Sequence, residues 1–421
     1  SVKYSKNYYM QNNILIVGAG FAGAVYARQL AEKDYHVTVI DKRDHIAGNC
    51  YDYVDNSGIR IHKYGPHLFH TSNNKVFDYL SRFTKWVKYE HKVVVRVGED
   101  KLVPLPINIQ TINTIFNKSF ESEQEVKSFV DSLRIKNQEI INAQDWLYDK
   151  IGERLTNIFY RPYTKKMWDL DLKNISHSVV KRIKFSFSNE ERYFPNDSIQ
   201  FLPDKGYTEL FTNLLDHKNI NIYLSEKFSK SSLKEFAYCF NSMPIDEFYD
   251  FKFGNLPYRS IKFKHLITES DNSSGHVTIN YSDSSKHTRE TWWHNIPGHH
   301  VKRKDLFVKT QEEPCDYKDN NYERYYPVKT SDDRFGEIYN WIEIRKKIGL
   351  VFQETTVDRS LTLMQNLHFA GQLHGLSKAK INERSKNLLG LFGLEKHVNR
   401  PTNQLSGGMR RAVDIIRGII H

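Results

Sequence analysis

The sequence predicts an α/β fold in its first four-fifths and a mostly helical segment behind it. Three observations predict this. An apolar, β-rich run, Ile14-Leu15-Ile16-Val17, passes directly into a glycine-rich turn and a helix-like stretch. Between about Glu121 and Trp168 apolar residues recur near helical spacing, Phe129 and Leu133 and later Trp146, Leu147 and Ile151. From about Glu191 to Tyr326, short β-rich stretches (Ile220 to Tyr223, Tyr258 to Ile267, His276 to Tyr281) alternate with turns, as in an antiparallel sheet.

The first strand leads into Gly18-Ala19-Gly20-Phe21-Ala22-Gly23 and a helix from Ala24 to Lys33, and a second strand, Val37 to Ile40, ends at Asp41. The acid lies 18 residues after the last glycine. In such a strand–GxGxxG–helix–strand–acid unit the first glycine allows a tight turn. The second lets the backbone approach a pyrophosphate, and the third lets helix and strand pack closely. The helix N-terminus faces the phosphates, and Asp41 can accept hydrogen bonds from an adenosine ribose. This predicts a Rossmann-like dinucleotide-binding part.

Composition narrows the function classes. A chain of 421 residues is long enough for two or three domains, and 39% hydrophobic with 26% charged residues is ordinary for a globular protein. No run of about 18 apolar residues occurs, so no membrane span is expected. The polar stretch before Met10 lacks the apolar core of a secretory signal; Met10 is expected to be the natural start, with residues 1–9 extraneous. Cys50, Cys239 and Cys315 form no CxxC or Cys/His cluster, which points to a reducing compartment, the cytoplasm, and to no metal site. Residues 342–421 hold 13 Lys and Arg against 6 Asp and Glu, so +7 of the net +11 lies there and +4 in the rest. With no long basic run, a nucleic-acid partner is not expected.

The residues after the acid decide between FAD and NAD. Lys42-Arg43-Asp44-His45-Ile46-Ala47-Gly48-Asn49 extends it into a second glycine loop, which resembles the flavoprotein pattern. Next comes Ile61-His62-Lys63-Tyr64-Gly65-Pro66-His67-Leu68-Phe69-His70-Thr71, whose imidazoles are candidates to contact an isoalloxazine.

These two stretches are similar to the motifs of UDP-galactopyranose mutases. The likeness continues in order through Pro104-Leu105-Pro106-Ile107-Asn108, Tyr163-Thr164-Lys165-Lys166-Met167-Trp168, Lys181-Arg182-Ile183, Gly206-Tyr207-Thr208, Asn280-Tyr281-Ser282-Asp283, Thr288-Arg289 and Tyr325-Tyr326-Pro327-Val328, over about residues 12–335. The resemblance implies FAD, reduced for activity, held by Gly18, Gly20, Phe21, Gly23, Asp41, Lys42, Arg43, Gly48, Asn49, His67 and Leu68. It implies a UDP-galactose/UDP-galactofuranose site lined by His91, Tyr163, Thr164, Trp168, Tyr193, Asn280, Arg289 and Tyr326. No side-chain nucleophile is implied, because reduced FAD attacks the anomeric carbon; Arg289 and His67 support the reaction. The expected parts are an FAD-binding part at 12–100, a helical insertion at about 105–180 and a sheet part at about 181–335, within a region 10–341. A homodimer is a further candidate assembly.

Two departures stand out. A second diphosphate-binding arginine, expected four residues after Arg182, is replaced by Ser186, with Lys184 and Arg192 as nearby substitutes. The family's closing segment, a GGR-type turn and a tyrosine-rich helix start, is absent beyond Asp332-Asp333-Arg334-Phe335. From this, weak FAD retention and near-zero turnover are expected. Other readings remain open: a non-catalytic interaction protein, or a generic FAD or NAD oxidoreductase.

The remainder, 342–421, resembles a fragment of an ABC transporter ATPase. Ile348 to Glu354 is similar to the Q-loop strand, with Gln353 its glutamine; Gln404-Leu405-Ser406-Gly407-Gly408-Met409 matches the LSGG signature loop. Ser406, Gly407 and Gly408 are thereby implied to meet the γ-phosphate of ATP held by a partner subunit, so ABC transporter subunits are candidate partners. Helices are expected from Leu361-Thr362 to Leu376 and, capped by Ser377, to about Leu394. No GxxxxGK[ST] loop occurs, and the chain stops at His421 before a Walker B strand, so ATP hydrolysis is not expected. A fusion of two gene fragments near Tyr339–Ile344 is the economical explanation.

Overall fold

The computed structural model describes residues 12–98, 101–136, 139–181, 185–252, 254–299, 306–328 and 357–420. The chain divides into two compact units, 1–331 and 332–421. Among the described residues, no helix is long and apolar enough to cross a membrane.

The first unit begins with β1 (Asn13–Val17), four of whose five residues are buried, then α1 (Phe21–Ala31) and β2 (His36–Asp41). They form one parallel sheet with β10 (Ile220–Leu224) and β11 (Tyr238–Asn241), in the order β10-β2-β1-β11. Grouping residues 181–335 into one sheet part therefore needs correcting. Ile220 to Tyr223 lies in the dinucleotide layer, because parallel neighbours require long crossovers and the sheet recruits strands from far along the chain. Chain order reverses at β1, with β2 on one side and β11 on the other, and ligands of such sheets sit at that switch point, outside the carboxyl ends of the strands.

A hairpin of β3 (Asp52–Val54) and β4 (Arg60–His62), and a small sheet of β5 (Phe69–Thr71), β9 (Ile199–Pro203) and β6 (Trp86–Lys88), lead to the larger sheet. That sheet contains β7 (Val93–Val97), β8 (Lys101–Leu105), β12 (Tyr258–Thr268), β13 (Thr278–Tyr281), β14 (Arg289–Trp292), β15 (Phe307–Asp316) and β16 (Tyr326–Pro327), in the order β16-β12-β15-β14-β13-β7-β8. It is antiparallel as expected except where β13 meets β7 in parallel.

The helical insertion holds α2 (Ile109–Phe116), α3 (Glu123–Leu133), α4 (Ala143–Leu155) and α5 (Arg161–Trp168). Ser122 and Glu125 form a reciprocal cap on α3. Ala143, Leu147 and Ile151, four residues apart, bury one stripe of α4 in the insertion's core before Gly152, at φ +75°, kinks the helix. Farther on, α6 (Tyr207–Leu215) packs against α1. Its first amides, of Tyr207 and Thr208, donate to the two carboxylate oxygens of Asp52 at 2.8 Å each. Gly206, at φ +87°, leaves room for that carboxylate.

In the second unit α7 (Leu363–Leu373), α8 (Lys378–Phe392) and α9 (Gly407–Ile419) enclose a core containing Leu363, Leu367, Ile381, Leu388, Val413 and Ile416. A Cβ on Gly371 would stand 2.5 Å from Ile381, so α7 and α8 approach closely there.

Candidate active site

Each of the two glycine loops leaves the end of a strand in the parallel sheet, the first after β1 and the second after β2. Gly18 has φ +107°, and its amide donates to Ile40 O at 2.8 Å, joining the ends of β1 and β2. A Cβ on Gly18 would stand 2.1 Å from Ser242 Oγ, and one on Gly23 only 1.9 Å from Gly18 O. Gly20 differs: a Cβ there would meet nothing nearer than 3.8 Å. The start of α1 has no side-chain cap and no acid in its first turn. Open space at an uncapped helix start, at the switch point of a parallel sheet, fits a pyrophosphate.

Asp41 ties this turn to the second loop. Its Oδ2 accepts from Ala19 N at 2.8 Å and its Oδ1 from Arg43 N at 2.9 Å. Ala47 N donates to Ala19 O at 3.0 Å, and a Cβ on Gly48 would stand 3.0 Å from Gly20 Cα. The two glycine loops therefore touch. Arg43 donates to Asn49 Oδ1 at 2.9 Å, lies 4.3 Å over the Tyr64 ring and pairs with Glu323. Lys42 is exposed. Phe21 turns its ring into the helix packing, 4.6 Å from that of Phe211.

A second cluster forms around Arg289. It stands in register with Asn280 on β13 and Glu312 on β15. Its Nε donates to Asn280 Oδ1 at 3.3 Å, and its Nη1 lies 3.5 Å from Glu312 Oε1. The Arg289 side chain is 24% exposed and that of Glu312 only 3%. Burial works against the Arg289 charge, but Glu312 and the phenols of Tyr163, Tyr326 and Tyr193 outweigh it, and its pKa is raised. Burial pushes the Glu312 carboxyl up, against the opposing pull of Arg289.

Two imidazoles face the same guanidinium. His67 donates from Nδ1 to Gly65 O at 3.0 Å, since a carbonyl only accepts, so its Nε2 carries a lone pair when the ring is neutral. Burial, with Arg289 adding to it, lowers the His67 pKa against the Gly65 contact. His91 is buried, shares a hydrogen bond with Tyr89 through Nδ1 at 3.0 Å, and is pushed down to about 3 by burial, then by Arg289 and His70. Neutral rings flank a permanent cation.

The aromatic wall is built from α5 and β16. Trp168 and Tyr326 meet edge to face at 5.9 Å, and Tyr193 meets His91 at 5.9 Å. Thr164 is buried on α5, and Leu68 is half-buried beside His67. Lys166 Nζ donates to His287 O at 2.8 Å and Arg259 Nε to Met167 O at 3.2 Å, fastening α5 to the sheet.

Other expected residues do not join the cluster. The amide of Ser186 donates to Ile107 O at 2.9 Å and its hydroxyl pairs with that of Ser188 at 2.8 Å. Arg192 does not stand in for the missing arginine: its fork is taken by Glu190, at 2.9 Å through Nε and 2.6 Å through Nη2. That contact first, against burial, holds the Glu190 carboxyl down at about 2. Arg182, Lys184 and Gln353 lie outside the described residues. Glu312 and Ser242 went unread in the sequence, and Asp52, the last residue of the mutase-like stretch 41–52, was given no role. Only Glu312 left a signal, a charge at an inward position of β15 in phase with Val308 and Thr310. Among the described residues, no group of three or more His, Cys, Asp or Glu could hold a metal ion.

In the second unit Ser406, Gly407 and Gly408 are exposed at the start of α9. Ser406 Oγ accepts from Met409 N at 3.2 Å, and Cβ atoms on either glycine would meet nothing within 4 Å.

Fold and glycine loops together define an α/β enzyme of the flavin-type dinucleotide-binding class. The chain belongs to the UDP-galactopyranose mutase family, whose members are flavin-dependent isomerases. The profile of that family matches residues 158–346, and that of NAD(P)-binding Rossmann-like domains residues 16–83. A dTDP-fucopyranose mutase of Escherichia coli is 34% identical over 336 residues, covering 76% of this chain and 85% of that protein. A probable UDP-galactopyranose mutase of Klebsiella pneumoniae is 36% identical over 274 residues, covering 64% and 70%. A crystal structure of reduced UDP-galactopyranose mutase shares the fold, with a TM-score of 0.55 at 17% identity, covering 75% of this chain and 76% of that one. An ABC transporter profile matches residues 326–421, overlapping the mutase match between 326 and 346. Over that end the chain is 42% identical across 76 residues to the methionine import ATP-binding protein MetN of Xylella fastidiosa, spanning 18% of this chain and 23% of that protein.

Proposed function

We propose that the first unit interconverts UDP-galactopyranose and UDP-galactofuranose, with FAD on the two glycine loops and the nucleotide sugar at Arg289. The observation that carries this reading is the Arg289 cluster. A cation is held by a buried carboxylate and an amide and left a quarter open, within electrostatic reach of Tyr163, Tyr193 and Tyr326 and of two imidazoles of lowered pKa. Such a site suits a diphosphate, which accepts hydrogen bonds from guanidinium and phenols and carries charge that must be stabilised as it leaves the sugar.

Gly20 and the start of α1 would take the pyrophosphate of FAD, Gly48 and Asn49 would extend that surface, and Asp41 would hold the loop and accept from the ribose. When bound and reduced, the flavin supplies the nucleophile for the anomeric carbon. Arg289 would stabilise the charge of the departing diphosphate, whose oxygen re-forms the anomeric bond afterwards, so no net electrons are gained or lost. The ring oxygen changes from the 5-hydroxyl to the 4-hydroxyl; His67 Nε2 offers an acceptor to a sugar hydroxyl. Trp168, with Tyr326 against its edge, gives uracil a stacking face. The aromatic wall also excludes water that would compete for the anomeric carbon.

A second reading of the substrate is favoured by the Escherichia coli relative: a dTDP-6-deoxyhexose, taken up in the same way through its diphosphate. For the second unit, with its exposed signature loop and no phosphate-cradling loop in the 421 residues, a docking role on transporter subunits is the reading, without ATP hydrolysis. Both units would work in the cytoplasm, where nucleotide sugars are made.

The test is chromatography of UDP-galactofuranose and dTDP-fucofuranose incubated with the full chain, FAD and dithionite. Conversion of the UDP-sugar, slow because the closing segment of the family is absent and lost altogether in Arg289→Ala, is expected. Conversion of only the dTDP-sugar would favour the second reading, and conversion of neither would sink the proposal.

A further inference from the structure

Residues 317–325 connect β15 to β16 and bring Tyr325, and Tyr326 at the start of β16, to the Arg289 cluster. Two neighbours in this turn, Glu323 and Arg324, bear opposite charges, and each pairs with a different element of the dinucleotide layer. Glu323 pairs with Arg43, which lies between the two glycine loops, donates to Asn49 Oδ1 at 2.9 Å and stacks on Tyr64 at 4.3 Å. Arg324 Nη1 reaches both oxygens of Asp246, just beyond β11, at 2.6 and 2.8 Å, with the two side chains only 7% and 2% exposed. Asp246 Oδ2 also accepts from Leu256 N at 2.9 Å, so its carboxylate is fixed from two sides. The next residue continues the pattern: Tyr325 donates through its hydroxyl to Tyr64 O at 2.6 Å.

We infer that residues 323–325 form a strap that couples the cofactor loops to the substrate cleft, with Glu323 and Arg324 as positioning residues that set where Tyr326 stands. The inference rests on the proposed mutase site. The path is short and continuous. The amide of Arg43 is held by Asp41, whose other oxygen holds the Gly18–Gly20 turn; the side chain of Arg43 holds Glu323; three residues further on, Tyr326 faces Arg289 and Trp168.

The sequence makes Arg43 a cofactor contact, but its planar fork is already committed to Asn49 and Glu323. A guanidinium so engaged acts as a joint: a ligand that orders the loops also orders the strap. Arg324 keeps the other side of the turn in place, so the Glu323 contact, with the Tyr325–Tyr64 bond beside it, is the side that responds to the loops. Linkage then requires that FAD and the nucleoside diphosphate change each other's affinity by the same factor.

The measurement is calorimetric titration of the full chain with UDP, with and without saturating FAD, for wild type, Glu323→Gln and Arg289→Ala. Saturating FAD is expected to tighten UDP binding about tenfold in wild type, within the usual range of coupling between sites. In Glu323→Gln that factor falls to about two or less, while UDP affinity without FAD stays within about twofold and the melting temperature hardly moves. A purely structural ion pair would lower both affinities and the melting temperature and leave the factor intact, and that outcome overturns the inference. So does a wild type in which FAD leaves UDP affinity unchanged. Arg289→Ala separates the two readings. Undiminished UDP binding there sinks the site itself, whereas lost binding there with full coupling in Glu323→Gln sinks only the strap.

Discussion

Arg289 Nη1 lies 3.5 Å from Glu312 Oε1 on the adjacent strand, with the carboxylate buried and the guanidinium partly exposed. The pair holds a cation in place and keeps part of it accessible, as the proposed diphosphate site requires. A buried pair of this kind is weak evidence for stability, but breaking it from one side is costly, because it leaves a buried charge alone.

Replacing Arg289 by Met tests that asymmetry. The loss of stability is expected to reach about 3 kcal/mol at pH 8. Glu312 already has its pKa raised by burial, and losing Arg289 raises it further. The stability that a carboxyl with a raised folded pKa contributes is fully present below its unfolded value of 4.5 and lost as pH rises through the folded value. Urea unfolding should therefore show a smaller penalty at pH 5 than at pH 8. Equal penalties would mean that Glu312 does not feel Arg289.

Gly20 and Gly23 should separate ligand effects from folding effects. Gly23→Ala forces a methyl group against Gly18 O, 1.9 Å away, and should lower the melting temperature. Gly20→Val has no such clash, since its Cβ meets nothing within 3.8 Å, so it should fold normally yet bind FAD at least about tenfold more weakly. Fluorescence titration of FAD against each variant checks this, and equal FAD affinity in Gly20→Val and wild type would place the cofactor elsewhere.

His91 predicts an acid limit. Its pKa of about 3 lies far below the ordinary 6.5 because burial disfavours the charged ring. With a depressed folded pKa, stability is fully present above about pH 6.5 and falls as the unfolded chain takes up the proton that the folded one refuses. By pH 5 this one residue removes about 2 kcal/mol. His91→Gln, which keeps an acceptor for the Tyr89 hydroxyl, should flatten the decline in urea midpoint between pH 7.5 and 5. An unchanged slope would contradict the assignment.

Ser406 predicts a local effect in the second unit. Its hydroxyl caps α9 through Met409 N, so Ser406→Ala should cost about 1 kcal/mol of that unit's stability. In calorimetry of the full chain, the transition of the second unit should shift while that of the first stays put. A shift of the first unit's transition instead would show that the cap has been misplaced.

Local order was the most legible part of the sequence. The strand, glycine turn, helix and second strand around Gly18 to Asp41 appear almost where alternation and glycine spacing place them, because each is fixed within a few residues of chain. The stripe on α4 and the Ser377 cap of α8 were readable for the same reason. Arg289, Tyr163, Tyr193, Tyr326 and the two histidines could be named as candidates by resemblance, and the structure gathers them around one guanidinium.

Most of what stayed hidden depends on contacts between distant residues. Asp52 caps a helix that begins at Tyr207 and Ser242 supports the turn at Gly18. Neither has a local pattern, since a side chain's partner is set by where the sheets bring it; Arg192, by contrast, spends its charge on Glu190 only two residues away. By itself the sequence determined the dinucleotide motif, the element types, the family resemblance and the change of character near residue 342. Only the tertiary structure decided that β10 and β11 belong beside β1, that Glu312 sits beneath Arg289, and that Glu323 and Arg324 reach back to the cofactor layer. The reason is physical: backbone periodicity is written in neighbouring residues, whereas the burial and pairing of a charge depend on which strands the whole fold places side by side.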